Sequence, residues 1–250
     1  TQLLFYRKDL FENTAVRRLY SETYHSELKV PKSFTEYNQI AEFFAENEHL
    51  EQNYYSNLTL GNLGVTATEF LTRLFSHKKH LYEKDGRVVI NDQAGIQALE
   101  ELVTAKRYSD KKVVRWWTTS AKDFAEGKLA MMINFSNYAS EILGSGSRVV
   151  GNIGVAMVPG RNPIYGGGTI GISKNSSCKQ DALAFIKWLT SDPVASGMAA
   201  LGSVSPSIKT YSKYHIIGMA VENVLMGFLP VKESLNRAQQ LVDEEINTAV

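Results

Sequence analysis

Phe124-Ala125-Glu126-Gly127-Lys128-Leu129-Ala130-Met131-Met132-Ile133-Asn134-Phe135-Ser136-Asn137-Tyr138 is the stretch whose reading decides the fold. Its start continues a helical pattern, with Ser120 expected as N-cap, Asp123 three residues on, and Phe124 turned inward. Gly127 supplies the left-handed residue that ends a helix cheaply. Leu129 to Phe135 is a nearly unbroken apolar run, as expected of a strand covered on both faces. Asn134, Ser136, Asn137 and Tyr138 put hydrogen-bonding groups and a ring where that strand would emerge. An open α/β sheet presents its ligand site at such strand ends.

Working outward, the bulk properties exclude several classes. At 250 residues the chain can form one large domain or two small ones. Twenty-seven basic residues against 26 acidic ones leave a formal charge of +1, and no basic run points to nucleic acid. No apolar stretch approaches the roughly 20 residues a bilayer-spanning helix needs. Cys178 is the single cysteine, so the chain holds neither an internal disulfide nor a thiolate metal cage. Thr1 to Asp9 lacks the basic region and apolar core of a signal peptide and reads as a strand already in mid-fold, as in a fragment or mature chain.

The remaining elements follow from periodicity. Leu3 to Tyr6 reads as a buried strand and Glu12 to Lys29 as a helical stretch. Ser33 and Glu36 form a capping box, followed by a buried face of Tyr37, Ile40, Phe43 and Phe44. Asn53 to Leu60 predicts a strand, with Phe70, Leu71, Leu74 and Phe75 on the next helix. A turn at Asp85-Gly86 and a short strand at Val88 to Ile90 lead to a helix capped by Asn91 or Asp92. Ile96, Leu99, Leu102 and Val103 are expected as its inner face. The adjacent Trp116 and Trp117 cannot both point inward on one strand, so one is expected to be exposed. Gly151 to Val158 predicts another strand, ended by Pro159-Gly160. Ser177-x-x-Gln180 is expected to cap a helix whose core face is Ala182, Phe185, Ile186 and Leu189. Asp192-Pro193 opens the next helix. Further helices are expected at Met219 to Gly227 and around Leu235, Ala238, Leu241, Val242 and Ile246. The expectation is an α/β fold with a mixed central sheet of about five strands, helices on both faces, and seven or more helices.

The usual catalytic patterns are missing. Gly166-Gly167-Gly168 lacks the Gly-Lys-Ser/Thr end of a phosphate loop and reads as a close backbone approach or a bend. His77 and His80 share a helical spacing without an evident third ligand. There is no Gly-x-Ser-x-Gly elbow. Glu100-Glu101 and Glu244-Glu245 read as solvated helix faces rather than a glycosidase pair.

Phe124-x-x-Gly127-x-x-Ala130-Met131, followed by Ile133-Asn134, resembles a segment shared by extracellular solute-binding proteins of carbohydrate-uptake ABC transporters, the maltose-binding-protein-like family. Tyr6-Arg7-Lys8-Asp9-Leu10, the Pro31 to Glu36 helix start (with Phe34 where the family has Trp), Phe185-Ile186-Lys187-Trp188-Leu189-Thr190-Ser191 and the Gly202 to Pro206 turn are similar to further family segments. The resemblance implies a periplasmic-binding-protein-like lobe, with residues 1–250 forming mainly the second lobe and the first apparently absent. It implies a sugar or oligosaccharide ligand, delivery to ABC permease subunits, no enzymatic activity, no cofactor or metal, no nucleic acid, and a monomer. It also implies an extracytoplasmic location, periplasmic or cell-surface, with a lipid anchor expected in the full-length precursor. For sugar contact it nominates Asn62 and Thr66 around one turn, Asn134, Asn137 and Tyr138 after the central strand, and Tyr214 near the family's stacking Trp. Asn134, Asn137, Tyr138 and Asn62 are expected on one exposed rim. Two other readings stay open: a binding protein for a polyamine, phosphate ester or metal chelate, and a small-molecule α/β enzyme.

Overall fold

The computed structural model describes residues 1–250 other than 57, 62, 83, 85–87, 110–115, 169, 201–228, 231–232, 234–235, 238–239 and 242–250. Asn62, the Asp85-Gly86 turn, Tyr214, the helix expected at 219–227 and most of the last helix's face lie outside the described residues. The chain divides into two compact units, Thr1–Gly167 and Gly168–Val250.

In the first unit the elements run β1 (Gln2–Arg7), α1 (Lys8–Phe11), α2 (Thr14–Tyr24), α3 (Phe34–Glu46), α4 (Leu63–Ser76), α5 (Gln93–Arg107), α6 (Trp117–Ala125), β2 (Met131–Phe135), α7 (Ala139–Ile142) and β3 (Ile153–Ala156). Short 3-10 turns occupy Ser136–Tyr138 and Pro159–Arg161. β1 is the middle strand, antiparallel to both neighbours in the order β2-β1-β3. Its register pairs Leu4 with Ile133 and Phe5 with Met132 on one side, and Phe5 with Val155 on the other. Isolated parallel bridges, Tyr55 to Leu129 and Ser56 to Ser109, prolong the sheet beyond β2. The five strands expected are therefore three ladder-forming strands with two single-bridge extensions among the described residues. Among the described residues of the 53–60 segment there are bridges rather than a strand.

Alternation along β1 and β2 sends side chains to two cores, which is why Leu129 to Phe135 carries no polar gap until Asn134. Leu4, Met131 and Ile133 pack with Phe34, Tyr37, Ile40, Phe43 and Phe44 of α3. Phe5 and Met132 pack on the other face with Ala121 and Phe124 of α6 and Ile142 of α7. Helices thus cover both faces, as the apolar run requires. The α3 capping box forms in full: Ser33 Oγ accepts from the Glu36 amide at 3.2 Å, and the Glu36 carboxylate accepts from the Ser33 amide at 3.3 Å.

Four local expectations change. Ser120 is not the N-cap of α6; the helix begins at Trp117, and Ser120 is buried within it with its hydroxyl 3.4 Å from Met132 Sδ. Its far end behaves as expected. Gly127 has φ +82°, its amide donates to Phe124 O and the Lys128 amide donates to Asp123 O, a Schellman closure. On α5 the inner face is Ala98, Leu102 and Ala105, packed with Leu58, Leu60 and Phe70, whereas Ile96, Leu99 and Val103 face outward. Among the described residues, the short strand at Val88 to Ile90 reduces to one bridge, Tyr82 to Val88.

The fourth change lies in the second unit, which contains α8 (Lys179–Leu189) and α9 (Asp192–Ala200) among its described residues. Cys178 rather than Ser177 is the N-cap of α8 and makes no side-chain cap bond. Ala182, Ile186 and Leu189 are half-buried, but Phe185 is 53% exposed and leans on Trp188 with ring centroids 5.6 Å apart.

Candidate functional site

At its C-terminal end β2 runs directly into the 3-10 turn Ser136–Tyr138 and then α7. Thr1, just ahead of β1, holds this end in place: the Ser136 amide donates to Thr1 O at 2.8 Å. α6 starts beside it. Trp116 is the extended residue before the helix and Trp117 its first member, so the two indoles are not successive residues of one strand and need not alternate. Their centroids lie 4.8 Å apart at 62°. Trp117 meets the Phe135 ring edge-on at 5.1 Å and 89°. Such contacts add about 0.5–1.5 kcal/mol each beyond burial, so the rings form a rigid cluster. Trp116 is 45% exposed and carries the cluster to the surface.

Gly166 closes another side. A Cβ at this position would lie 2.4 Å from the Phe135 ring, so only glycine lets the backbone approach so closely. This is the close approach expected of the triglycine run. The neighbouring Tyr165 is 87% exposed. Ile164 and Gln2 fasten the segment, the Ile164 amide donating to Gln2 Oε1 at 3.2 Å while Thr72 Oγ1 donates to the same oxygen at 2.9 Å.

The nominated residues are distributed unequally over this edge. Asn137 is exposed on the 3-10 turn, and Tyr138 is half-buried there, packed against the α6 side of the core. Both therefore belong to the aromatic end of β2. Asn134 does not lie on an exposed rim: it is 0% exposed. Its Nδ2 donates to Trp117 O at 3.0 Å, and its Oδ1 accepts from the Phe135 amide at 2.8 Å. The physical reason is register. Asn134 pairs with Leu3 on the face that α6 covers, so its amide is spent tying α6 to β2. It positions the cluster from beneath. Thr66 sits half-buried in the first turn of α4, a different element.

Phe135 is the residue that sequence reasoning passed over, whereas the Trp116-Trp117 pair was singled out with one ring expected to be exposed. Phe135 was absorbed into an apolar run, and its signal was position, the last residue before the polar turn. The assembled side chains are uncharged: two indoles, a phenyl ring, two phenols, an amide and a hydroxyl. They offer flat apolar faces beside two-way hydrogen-bonding groups, with no nucleophile-and-base pair among them.

Residues 1–217 match the family model described as bacterial extracellular solute-binding protein. Among solved structures, the chain is similar to an ABC transporter solute-binding protein from Agrobacterium radiobacter K84 in complex with ribitol. The two share 21% identity over 97% of this chain and 69% of that one, with a TM-score of 0.62. Maltose-bound MalE3 of T. maritima aligns at 20% identity over 97% of this chain and 70% of that chain, TM-score 0.61. An ABC transporter solute-binding protein from Thermotoga lettingae TMO bound with α-D-tagatose aligns at 18% identity over 97% and 69%, TM-score 0.59. At these identities the three likenesses show the fold.

Proposed function

We propose, since the chain belongs to the bacterial extracellular solute-binding proteins, that it is the substrate-binding component of a carbohydrate ABC importer. Its family is one of extracytoplasmic transport binding proteins, not enzymes, and delivers small ligands to membrane permeases. The ligand is a sugar, polyol or oligosaccharide. The observation that carries this reading is the uncharged edge at the end of β2, where Trp116, Trp117 and Phe135 stand beside Asn137 and Tyr138. A sugar ring presents C–H faces that stack on indole and hydroxyls that both donate and accept. A phosphate ester, polyamine or metal chelate would call for charged partners, and the cluster supplies none. Structures of similar fold that hold ribitol, maltose and tagatose support the same class.

The 250 residues supply mainly the second lobe of a two-lobed binding protein that works as a monomer, and its precursor is lipid-anchored. This chain spans about 70% of each of the three related chains, so part of their length has no counterpart in it. Ligand capture then depends on closure of two lobes, the closed state being what the permease reads. One lobe alone keeps only part of the contacts. Losing three hydrogen bonds of about 0.5–1.5 kcal/mol each weakens binding by roughly one to three orders of magnitude.

Calorimetry with a panel of polyols, monosaccharides and oligosaccharides tests both parts. With this chain the expected dissociation constants are millimolar or weaker, and Trp116→Ala abolishes what binding there is. With the complete gene product they tighten to micromolar. Tight binding by the 250 residues overturns the lobe assignment. Failure of every sugar to bind the complete gene product overturns the sugar reading.

A further inference from the structure

The apolar stripe on α5 was expected inside the protein and lies outside it. Ile96 is 48% exposed, Leu99 52% and Val103 54%, at spacing i, i+3, i+7 along one edge of the helix. This is not a loosely packed core face, because α5 has another: Ala98, Leu102 and Ala105 are buried against Leu58, Leu60 and Phe70. Ile90, 48% exposed, extends the stripe past the helix start. Its carbonyl packs so tightly on Gly95 that a Cβ there would lie 1.8 Å away.

A groove of about 360 Å³ runs beside the stripe, between α5 and α3. Glu42, Glu100 and Glu101 line it, with no Lys, Arg or His in the lining. The Glu42 carboxylate is held in place by two phenols, Tyr108 donating to Oε1 at 2.7 Å and Tyr24 to Oε2 at 3.2 Å. Asn38, 6% exposed, donates Nδ2 to Glu101 O at 2.9 Å, and its buried Oδ1 has no partner. The groove is thus an array of carboxylates: Glu42 held by the two phenols, Glu100, and Glu101, whose carboxylate also meets His77 Nε2 at 3.1 Å. An aliphatic stripe alongside such an array matches one chemistry, a segment with apolar residues on one edge and cationic side chains on the next.

We infer that α5 and the α3–α5 groove are the docking surface for a basic amphipathic segment of the importer's membrane permease. The inference rests on the transport reading above for the identity of its partner. Its geometry is separate from the sugar edge, since it uses α3 and α5 rather than the end of β2. Aliphatic side chains of the partner cover Ile96, Leu99 and Val103, and a Lys or Arg enters the groove toward Glu42 and Glu100.

The test uses a synthetic leucine–lysine peptide with helical spacing, and a second of identical composition with the spacing scrambled. Fluorescence anisotropy is expected to show binding of the patterned peptide only, weakened as salt rises through the range where surface charges are screened. Leu99→Glu and Glu100→Lys, both on exposed positions, should each lower its affinity at least tenfold, whereas Glu22→Lys on α2 leaves it unchanged. Equal binding of the scrambled peptide, or less than a twofold effect of both α5 substitutions, overturns the inference. A dimer in sedimentation equilibrium that Leu99→Glu abolishes also overturns it, assigning the stripe to a second copy of the chain. Sugar calorimetry on the Leu99→Glu variant is expected to match wild type, so the two readings fail independently.

Discussion

Asn134→Leu removes the amide that ties α6 to β2 while keeping nearly the same volume. Two hydrogen bonds disappear, Nδ2 to Trp117 O and the Phe135 amide to Oδ1, together worth about 1–3 kcal/mol. Trp117 O keeps its role as acceptor in the first turn of its own helix. The Phe135 amide points away from β1 and is left without its acceptor, a further penalty of about 1–3 kcal/mol. The leucine recovers about 1 kcal/mol of apolar burial. The net expectation is a loss of about 1–5 kcal/mol, which at about 2–4 °C per kcal/mol for a chain of this size lowers Tm by roughly 2–20 °C. Urea unfolding followed by tryptophan fluorescence measures it, since Trp116 and Trp117 report on the same place. Asn137→Ala, on the exposed turn, is the control and should stay within about 0.5 kcal/mol of wild type. If Asn134→Leu unfolds at the wild-type midpoint, Asn134 is not what positions the aromatic edge.

Further predictions concern stability and titration. Ser33→Ala should lower stability by about 0.5–2 kcal/mol through the lost cap, read from the shift in denaturation midpoint; no shift would contradict the box. Arg73, 1% exposed, pairs with Glu69 at 3.0 Å and lies 4.7 Å over the Phe34 ring. Arg73→Met strands the buried Glu69 carboxylate, so a loss of about 3–5 kcal/mol is expected in chemical denaturation, partly restored by adding Glu69→Gln. The Glu42 carboxylate beside Tyr108, aided by burial, pushes that phenol up to about 12 from 10.0, and burial with Glu42 also raises Tyr24. Because these folded-state values are raised, the stability they confer is complete below about pH 10 and is lost as pH climbs through the folded value. Ultraviolet titration should therefore show at least two late-ionising tyrosines, and Glu42→Gln should bring them earlier; an unchanged curve would sever the link. Cys178 is exposed and Cys178→Ser should leave stability and sugar binding near wild type, with a large loss of either in calorimetry contradicting this.

Much of the fold was legible because its strongest signals are local. The Ser33–Glu36 box, the Tyr37-Ile40-Phe43-Phe44 face and the Gly127 terminus each depend on residues within a few positions of one another. The two-faced burial of β2 was legible for a similar reason, an unbroken apolar run. Errors arose where an apolar residue had a choice of faces. On α5 the expected face of Ile96, Leu99, Leu102 and Val103 turns inward only at Leu102, because the equally periodic stripe Ala98-Leu102-Ala105 is the buried one. Small residues won because α4 and the Leu58 segment approach closely there. Arg73 was invisible as a core residue, since only tertiary contact supplies Glu69 and Phe34. At the candidate site, Asn137 and Tyr138 both lie at the end of β2, Asn137 exposed and Tyr138 half-buried. Asn134 was misplaced because its facing depends on a pairing with Leu3 far away in sequence.

That pairing bears on how the molecule is made. β1 is central in the sheet, yet both strands that flank it come much later: Ser136, whose amide closes one end against Thr1, is 135 positions away. During synthesis at about 5–20 residues per second, β1 waits roughly 7–27 seconds with both edges unpaired. α1 to α3 can gather against its Leu4 side in the meantime, because Phe11, Phe34 and Phe44 emerge early. The Phe5 side has no such cover until α6 arrives. A nascent chain halted between α3 and α6 therefore displays an apolar strand with two open hydrogen-bonding edges, the form a chaperone would hold and an aggregate would recruit.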